Sequence, residues 1–235
     1  MQRFIKPDCQ TCPHRHNPLM GCCSAEELEF ITNNKTTQHY QKGQYIYQEG
    51  NQALGLYCVH QGKIKIAKAG GDNKEQIVQL LREGDVLGYR ALLAGTRYSS
   101  SAVALEECVV CFVPRLDFLR LLQANMQFST AMLQLLARSL GQAEERMLHL
   151  AYKPVRERLA GALLLVQQTF RQEGEELPFR IALGREDLAA LVGTAKETVS
   201  RLLSEFKEAG IIATRGSQIT ILKPSRLLEI STMYD

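Results

Sequence analysis

Short runs in which apolar and polar residues alternate fill the first half of the chain, from Tyr40 to Pro114. Glycine-bearing turns separate these runs at intervals of about ten residues. Alternation of period two between such turns is typical of antiparallel strands. The pattern therefore predicts a β barrel or sandwich, and its clearest strands are QYIYQ, LGLYCV, KIKIAK, QIVQLL and CVVCFV.

A helical pattern replaces the alternation from Arg115, with no proline before Pro154. Apolar residues then recur at alternating intervals of three and four, which is the spacing of a coiled-coil seam. Charged residues flank this seam as they flank a coiled coil. We expect a helix over 126–152 that forms a parallel homodimer, and the alternative is a single helix lying on the β domain. The seam residues are Leu133, Leu136, Leu140, Ala143, Met147 and Leu150.

The last third of the chain predicts a short helix, a turn, a longer helix and a small hairpin. GREDLAALVG forms the first helix, and Gly193 permits the tight turn after it. In the second helix an apolar stripe at helical spacing must pack on the rest of the domain. Two strands around Arg215-Gly216-Ser217 close the segment. This is the layout of a winged helix-turn-helix, in which the second helix reads DNA.

Polar residues occupy the opposite face of that second helix, where a recognition helix meets the major groove. Arg201 can donate two hydrogen bonds to guanine, Glu197 can accept one from cytosine, and Ser200 is short enough to approach thymine. Each has an alternative role: Glu197 could form a capping box with Thr194, and Arg201 an ion pair with Glu205. The candidate DNA-binding residues are Lys196, Glu197, Thr198, Ser200 and Arg201, with Arg185 for a backbone phosphate.

Composition and charge narrow the classes of protein. The 235 residues are 45% hydrophobic and 23% charged, which suits a globular protein with one large or two modest domains. A net charge of +3 is too small to indicate nucleic-acid binding by itself, so DNA binding has to be argued from a local site. We find no long apolar run and no signal peptide, and expect a cytoplasmic protein. We also find no catalytic motif, and expect no enzyme.

These segments together resemble the Crp/Fnr family of transcriptional regulators. KGQYIYQEGNQALGLYCVHQGKIKI and REGDVLGY are similar to the turns of the family's effector domain, and GREDLAALVGTAKETVSRLLSEFKEAGII to its helix-turn-helix. The resemblance implies an α+β fold, double-stranded DNA and RNA polymerase as partners, and a homodimer. It implies four parts: a cysteine-rich segment 1–23, a cyclic-nucleotide-binding-like β-roll 24–125, a dimerisation helix 126–152 and a winged helix-turn-helix 153–235.

The reading helix is similar to that of the Fnr branch. Glu197, Ser200 and Arg201 match the E-x-x-S-R set with which that branch recognises inverted TTGAT-like half-sites, most often to activate transcription. The chain departs from the family at Ala195, where a capping hydroxyl is common.

The effector is less clearly indicated. Nucleotide-binding members carry a glutamate for the ribose after the G-D-x-x-G turn and an arginine for the cyclic phosphate. Here Tyr89 follows Gly88, and serines stand near the position of the arginine. We therefore do not expect cyclic AMP as a ligand. The alternatives to a metal-based sensor are a metal-free regulator that responds to a small ligand in the β-roll, and a cyclic-nucleotide-binding module that does not bind DNA.

Seven cysteines in a chain expected to be cytoplasmic indicate free thiols or metal ligands rather than a disulfide framework. One interpretation is a [4Fe-4S] cluster of the Fnr type. A second is zinc held within the N-terminal segment, whose histidines add ligands, and a third is a metal-free tail or regulatory disulfide. Cys58 is interpreted as a small core residue. The cluster ligands would be Cys9, Cys12, Cys22 or Cys23, and Cys111.

Overall fold

A computed structural model describes residues 7–71, 74–171, 178–181, 183–216 and 218–232. The residues 155–174 also carry a helical pattern, VRERLAGALLLVQQTFRQEG. Residues 172–174 of that pattern, and Ser217 of the predicted turn, lie outside these ranges. The described residues divide into two compact units. One comprises residues 1–68 and 81–141, and the other comprises residues 69–80 and 142–235, in both cases within the described ranges.

Two four-stranded antiparallel sheets form the β-roll in the first half of the chain. Their strand orders are β1-β8-β3-β6 and β2-β7-β4-β5. The five predicted strands are present, and three further strands accompany them. The strands are β1 Thr36–Tyr40, β2 Tyr45–Tyr47, β3 Gly55–Gln61, β4 Ile64–Ala69, β5 Glu75–Leu81, β6 Val86–Leu87, β7 Ser101–Ala104 and β8 Cys108–Pro114.

Helices flank these strands. The first, α1 (Ala25–Asn34), begins at a capping box in which the Glu27 amide donates to the Ser24 hydroxyl over 3.2 Å and the Ser24 amide donates to the Glu27 carboxylate over 2.8 Å. Such reciprocal bonds satisfy two amides that a helix start leaves without partners. Three further helices are α2 Tyr89–Ala94, α3 Arg115–Ala124 and α4 Met126–Tyr152. The boundary between the two units falls within α4, after Gly141.

Among the residues that the structure describes after Pro154 are four more helices and a three-stranded sheet. The sheet has the order β10-β11-β9, and the β10–β11 hairpin follows the helix pair as a wing. Buried apolar residues of α5, α6 and α7, among them Leu163, Leu188 and Leu203, form the core of this part. The elements are α5 Val155–Phe170, β9 Arg180–Ile181, α6 Arg185–Val192, α7 Lys196–Glu208, β10 Ile212–Arg215, β11 Gln218–Ile221 and α8 Pro224–Ser231.

The predicted α+β class is confirmed: a β-roll, a long helix and a winged helix-turn-helix follow one another along the chain. In the described part of the chain, no helix is both long and apolar enough to cross a bilayer.

Candidate DNA interface and thiol cavity

The two faces of α7 have opposite environments. The apolar stripe is buried, with Val199 fully inaccessible to solvent and Phe206 1% exposed. Lys196, Glu197 and Arg201 are exposed on the other side, while Thr198 and Ser200 are partly exposed. Gly193 ends α6 with φ of 71°, a left-handed conformation that glycine adopts without strain, and so permits the sharp turn into α7.

The N-terminus of α7 lacks a side-chain cap. Its N-cap residue is Ala195, and no side chain accepts a hydrogen bond from the first turn. The capping box of Thr194 and Glu197, one of the alternatives from sequence, is therefore not formed. The first amides of a helix point outward and attract anions, so this end of α7 can receive a phosphate oxygen.

Ion pairs restrain two of the predicted DNA-binding side chains. Lys196 pairs with Glu186 of α6, and Arg201 pairs with Glu205 one turn further along α7. The Arg201 side chain remains 65% exposed. Exposed pairs of this kind contribute little free energy, typically below about 1 kcal/mol, so a nucleic acid can compete for both cations.

Arg185 has a partner in the wing. Its guanidinium donates to the carbonyl oxygen of Gly216 over 3.0 Å, which ties the start of α6 to the β10–β11 turn. The predicted phosphate contact would use the remaining donors of the guanidinium, which has five.

A second site lies in the β-roll, where four of the seven cysteines line one cavity with a volume of about 50 Å³. That volume exceeds the space needed by a single water molecule. Three of the four thiols belong to predicted cluster ligands, and the fourth belongs to Cys58. Residues of the lining that carry thiol, imidazole or ammonium groups are Cys9, Cys12, Cys58, Cys111, His14, His60 and Lys35.

Sheet register and loop anchors bring these groups together. Cys58 on β3 is the direct partner of Cys111 on β8. The N-terminal segment is held against the roll because the Cys9 amide donates to the Thr32 hydroxyl over 3.0 Å and a His14 ring nitrogen lies 3.1 Å from the His60 carbonyl oxygen. The sequence had no local signal for Cys58, Lys35 or His60 as members of the site, because only folding brings them to the cysteines.

Cys22 and Cys23 do not line the cavity. The Cys22 thiol donates to the Pro18 carbonyl oxygen over 3.0 Å. Burial and the neighbouring Glu27 carboxylate raise the pKa of Cys23 to about 12. Of the predicted ligand set, therefore, Cys9, Cys12 and Cys111 line the cavity and Cys22 and Cys23 do not.

Burial in the cavity affects two thiols and one imidazole, and a lysine ammonium lies beside them. Burial raises the pKa of Cys12 and of Cys58. Burial also lowers the pKa of His60, with His14 and Lys35 adding to the effect. Lys35 is only 4% exposed, and its ammonium donates to the Cys9 sulfur over 3.1 Å. In the described ranges, no three Cys, His, Asp or Glu side chains are close enough together to hold a metal ion as they stand.

Aromatic side chains pack around the turn where nucleotide-binding relatives carry their glutamate. Tyr89 is 3% exposed, and the ring of Tyr98 stacks on that of Tyr47 with centroids 3.9 Å apart. A Cβ atom at Gly88 would come within 3.3 Å of the Tyr57 ring. Packed phenol rings therefore fill the space beside the turn at Gly88.

The predicted seam of α4 is apolar and accessible in the single chain. Leu133 is 67% exposed, Leu140 62%, Met147 63% and Leu150 40%. Leu136 is partly exposed and Ala143 is exposed. Large apolar side chains in a row on one helix face usually mark a protein interface.

Comparisons with known proteins agree with this geometry. The family models of the cyclic nucleotide-binding domain and of the Crp-like helix-turn-helix domain match residues 37–125 and 157–230. The fumarate and nitrate reduction regulatory protein of Escherichia coli K12 is 30% identical over 227 residues, 95% of this chain and 90% of its own. Its namesake in Vibrio cholerae is 32% identical over 193 residues, 81% of this chain and 76% of its own.

Among solved structures, FixK2 from Bradyrhizobium japonicum matches with a TM-score of 0.74 and 30% identity, over 83% of this chain and 96% of that one. The family contains transcriptional regulators and not enzymes, which confirms the expectation from sequence. The fold, the exposed polar face of α7 and these relatives establish that the chain belongs to the Crp/Fnr family of DNA-binding transcriptional regulators.

Proposed function

We propose that the protein binds inverted-repeat TTGAT-like sites as a homodimer and activates transcription through RNA polymerase. The observation that carries the proposal is the face of α7 on which Glu197, Ser200 and Arg201 are accessible while the opposite face is buried. A helix with this division can enter the major groove without losing its packing.

Each reading residue has a chemical counterpart in the half-site. Arg201 donates to O6 and N7 of the guanine, Glu197 accepts from a cytosine amino group on the opposite strand, and Ser200 contacts a thymine. Arg185 binds a backbone phosphate and helps to set the register of the helix, while Lys196 and Thr198 reach bases or phosphates. The uncapped N-terminus of α7 supports a further phosphate contact.

A parallel homodimer through α4 presents two such helices one DNA turn apart, as an inverted repeat requires. The exposed seam supports this arrangement, because in a monomer several of its large apolar side chains would remain in water. In this proposal residues 24–125 form the sensor, 126–152 the dimerisation helix and 153–235 the DNA-binding domain, with the cysteine-rich segment 1–23 as part of the sensor.

We further propose that the sensor responds to oxygen or redox state through a [4Fe-4S] cluster. Cys9, Cys12 and Cys111 would hold it, and the donor set fits because thiolates are the usual ligands of such clusters and three of these thiols share one cavity. The naming of the relatives for fumarate and nitrate reduction supports an anaerobic role. A bound cluster would supply a centre whose charge and integrity depend on the redox environment.

The DNA-binding proposal is tested by fluorescence anisotropy. Protein purified without oxygen is titrated, at fixed salt concentration, into duplexes that carry TTGAT and an inverted ATCAA. We expect tight binding in which both half-sites are occupied. The binding free energy should weaken by about 1–3 kcal/mol for each mismatched base pair. A duplex with the same composition and scrambled half-sites is the control. Equal affinity for the two duplexes would contradict the assigned site sequence.

A further inference from the structure

We propose that Cys58 completes the metal site, so that four thiolates from Cys9, Cys12, Cys58 and Cys111 bind a soft metal centre inside the β-roll. The inference rests on the proposed thiol-based sensing and deepens it by assigning the fourth ligand. The sequence alone selects Cys22 or Cys23 for that role, because they are close to Cys12 along the chain.

Sheet register places Cys58 beside an expected ligand. It lies directly opposite Cys111 in the antiparallel pair β3–β8. Residues paired in this way project from the same face of a sheet with Cβ atoms about 4.5–5.5 Å apart. Both thiols line the cavity that Cys9 and Cys12 reach from the N-terminal segment. Four cysteines from three separate stretches of chain therefore line one cavity.

Hydrogen bonds hold the backbone of Cys22 and Cys23, which do not line that cavity. The Asn125 amide group donates to the Cys22 carbonyl oxygen over 3.0 Å and to the Glu27 carboxylate over 2.8 Å. Ser24, the next residue, is fixed by the capping box of α1. These bonds restrain the backbone on both sides of Cys23, so any approach of Cys22 or Cys23 to the cavity has to come from side-chain rotation alone.

A buried positive charge beside the cavity also supports a site made of thiolates. Lysine is almost never fully buried unless an anion accompanies it. Lys35 is 4% exposed and donates to the Cys9 sulfur, so an ammonium already sits against the cavity. Metal binding displaces the thiol protons and leaves a thiolate cage with excess negative charge, which this ammonium would partly neutralise.

Two kinds of metal centre are bound by four thiolates: an iron–sulfur cluster and a zinc ion. We would purify full-length protein without oxygen as wild type, Cys58→Ser and the double variant Cys22→Ser/Cys23→Ser. Iron, sulfide and zinc per chain and visible absorption distinguish the metals. Far-ultraviolet circular dichroism and Cys58→Ala, which removes the hydroxyl introduced by serine, control for folding.

The proposal predicts metal in the wild type and in the double variant, and loss of at least nine-tenths of it in both Cys58 variants with unchanged circular dichroism. Full metal content in the Cys58 variants would overturn the ligand assignment and leave thiol-based sensing intact. Loss of metal in the double variant would also overturn it. A wild type that takes up neither metal, even after reconstitution with iron and sulfide or with zinc, would overturn both the assignment and the metal-based sensor.

Discussion

Arg201 is paired with Glu205 on the exposed face of α7, one helical turn apart. Both side chains are accessible, at 65% and 41% of their surface, so the pair adds little to stability. It nevertheless fixes where the guanidinium is before DNA arrives. On binding, the guanine would compete with the Glu205 carboxylate for the same donors.

The substitution Glu205→Gln removes one negative charge beside the DNA and leaves a neutral amide oxygen that can still accept a hydrogen bond from Arg201. We expect operator and unrelated DNA to bind more tightly by the same factor, about twofold to fivefold at low salt, because phosphate attraction is independent of sequence. Anisotropy titrations with both duplexes measure the ratio. A tenfold loss confined to the operator would instead mean that Glu205 holds Arg201 in its reading position.

The substitution Leu140→Glu places like charges at the centre of the proposed α4 seam. We expect dissociation of the dimer at micromolar concentration, since two desolvated carboxylates would face each other. Light scattering across a concentration series measures the mass. The control is Gln142→Glu, which adds the same charge on an exposed residue outside the seam. Equal masses for both variants and the wild type would contradict the assigned interface.

Gly62 combines a positive φ of 96° with a crowded environment. A Cβ atom there would lie 2.6 Å from the Glu107 carbonyl oxygen and 2.7 Å from the Cys108 sulfur. We expect Gly62→Ala to lower the free energy of unfolding by at least about 2–3 kcal/mol, because strain and overlap add. Gly43 has φ of 84° and open space, so Gly43→Ala should cost only about 1 kcal/mol in urea denaturation. Equal losses would show that the contacts at Gly62 relax freely.

Asp85 makes stability depend on pH in an unusual direction. Burial raises its pKa, although the Arg82 amide donates to the carboxylate over 2.9 Å and opposes the shift. A carboxyl whose pKa is higher in the folded state loses stabilisation as pH rises from its unfolded value towards its folded value. Asp85→Asn should therefore gain stability relative to wild type over that interval. Thermal unfolding between pH 3.5 and 7 tests this, and a difference that does not vary with pH would contradict it.

The elements that carry DNA recognition could be predicted because their signals are local. The spacing of Val199, Leu202 and Phe206 identifies the buried face of α7, and the structure buries all three. Ser24 stands three residues before Glu27, a local spacing that predicts a capping box, and the structure forms that box. Polar segments were harder: β1, with the sequence TTQHY, has no buried residue and gave no alternation to recognise.

The thiol cavity could be predicted only in part. Cys9 and Cys12 are recognisable by spacing, but sequence proximity favoured Cys22 and Cys23 over Cys58, which was interpreted as a core residue. The side of the cavity on which Cys58 lies is fixed by the register of β3 against β8, a pairing between residues 53 positions apart along the chain. Such long-range pairing leaves no trace in a local pattern.

The central claim is that α7 reads a TTGAT half-site through Arg201. The most direct test compares the DNA affinity of the wild type, Arg201→Ala and a control variant, Lys207→Ala. Lys207 is an exposed cation in the last turn of α7. The duplexes are the TTGAT site and three variants of it, in which the G·C base pair is replaced by each of the three other base pairs. We predict that Arg201→Ala loses about 1–3 kcal/mol on TTGAT and no longer discriminates at that position, while Lys207→Ala keeps the wild-type preference. Unchanged affinity and unchanged preference in Arg201→Ala would contradict the account.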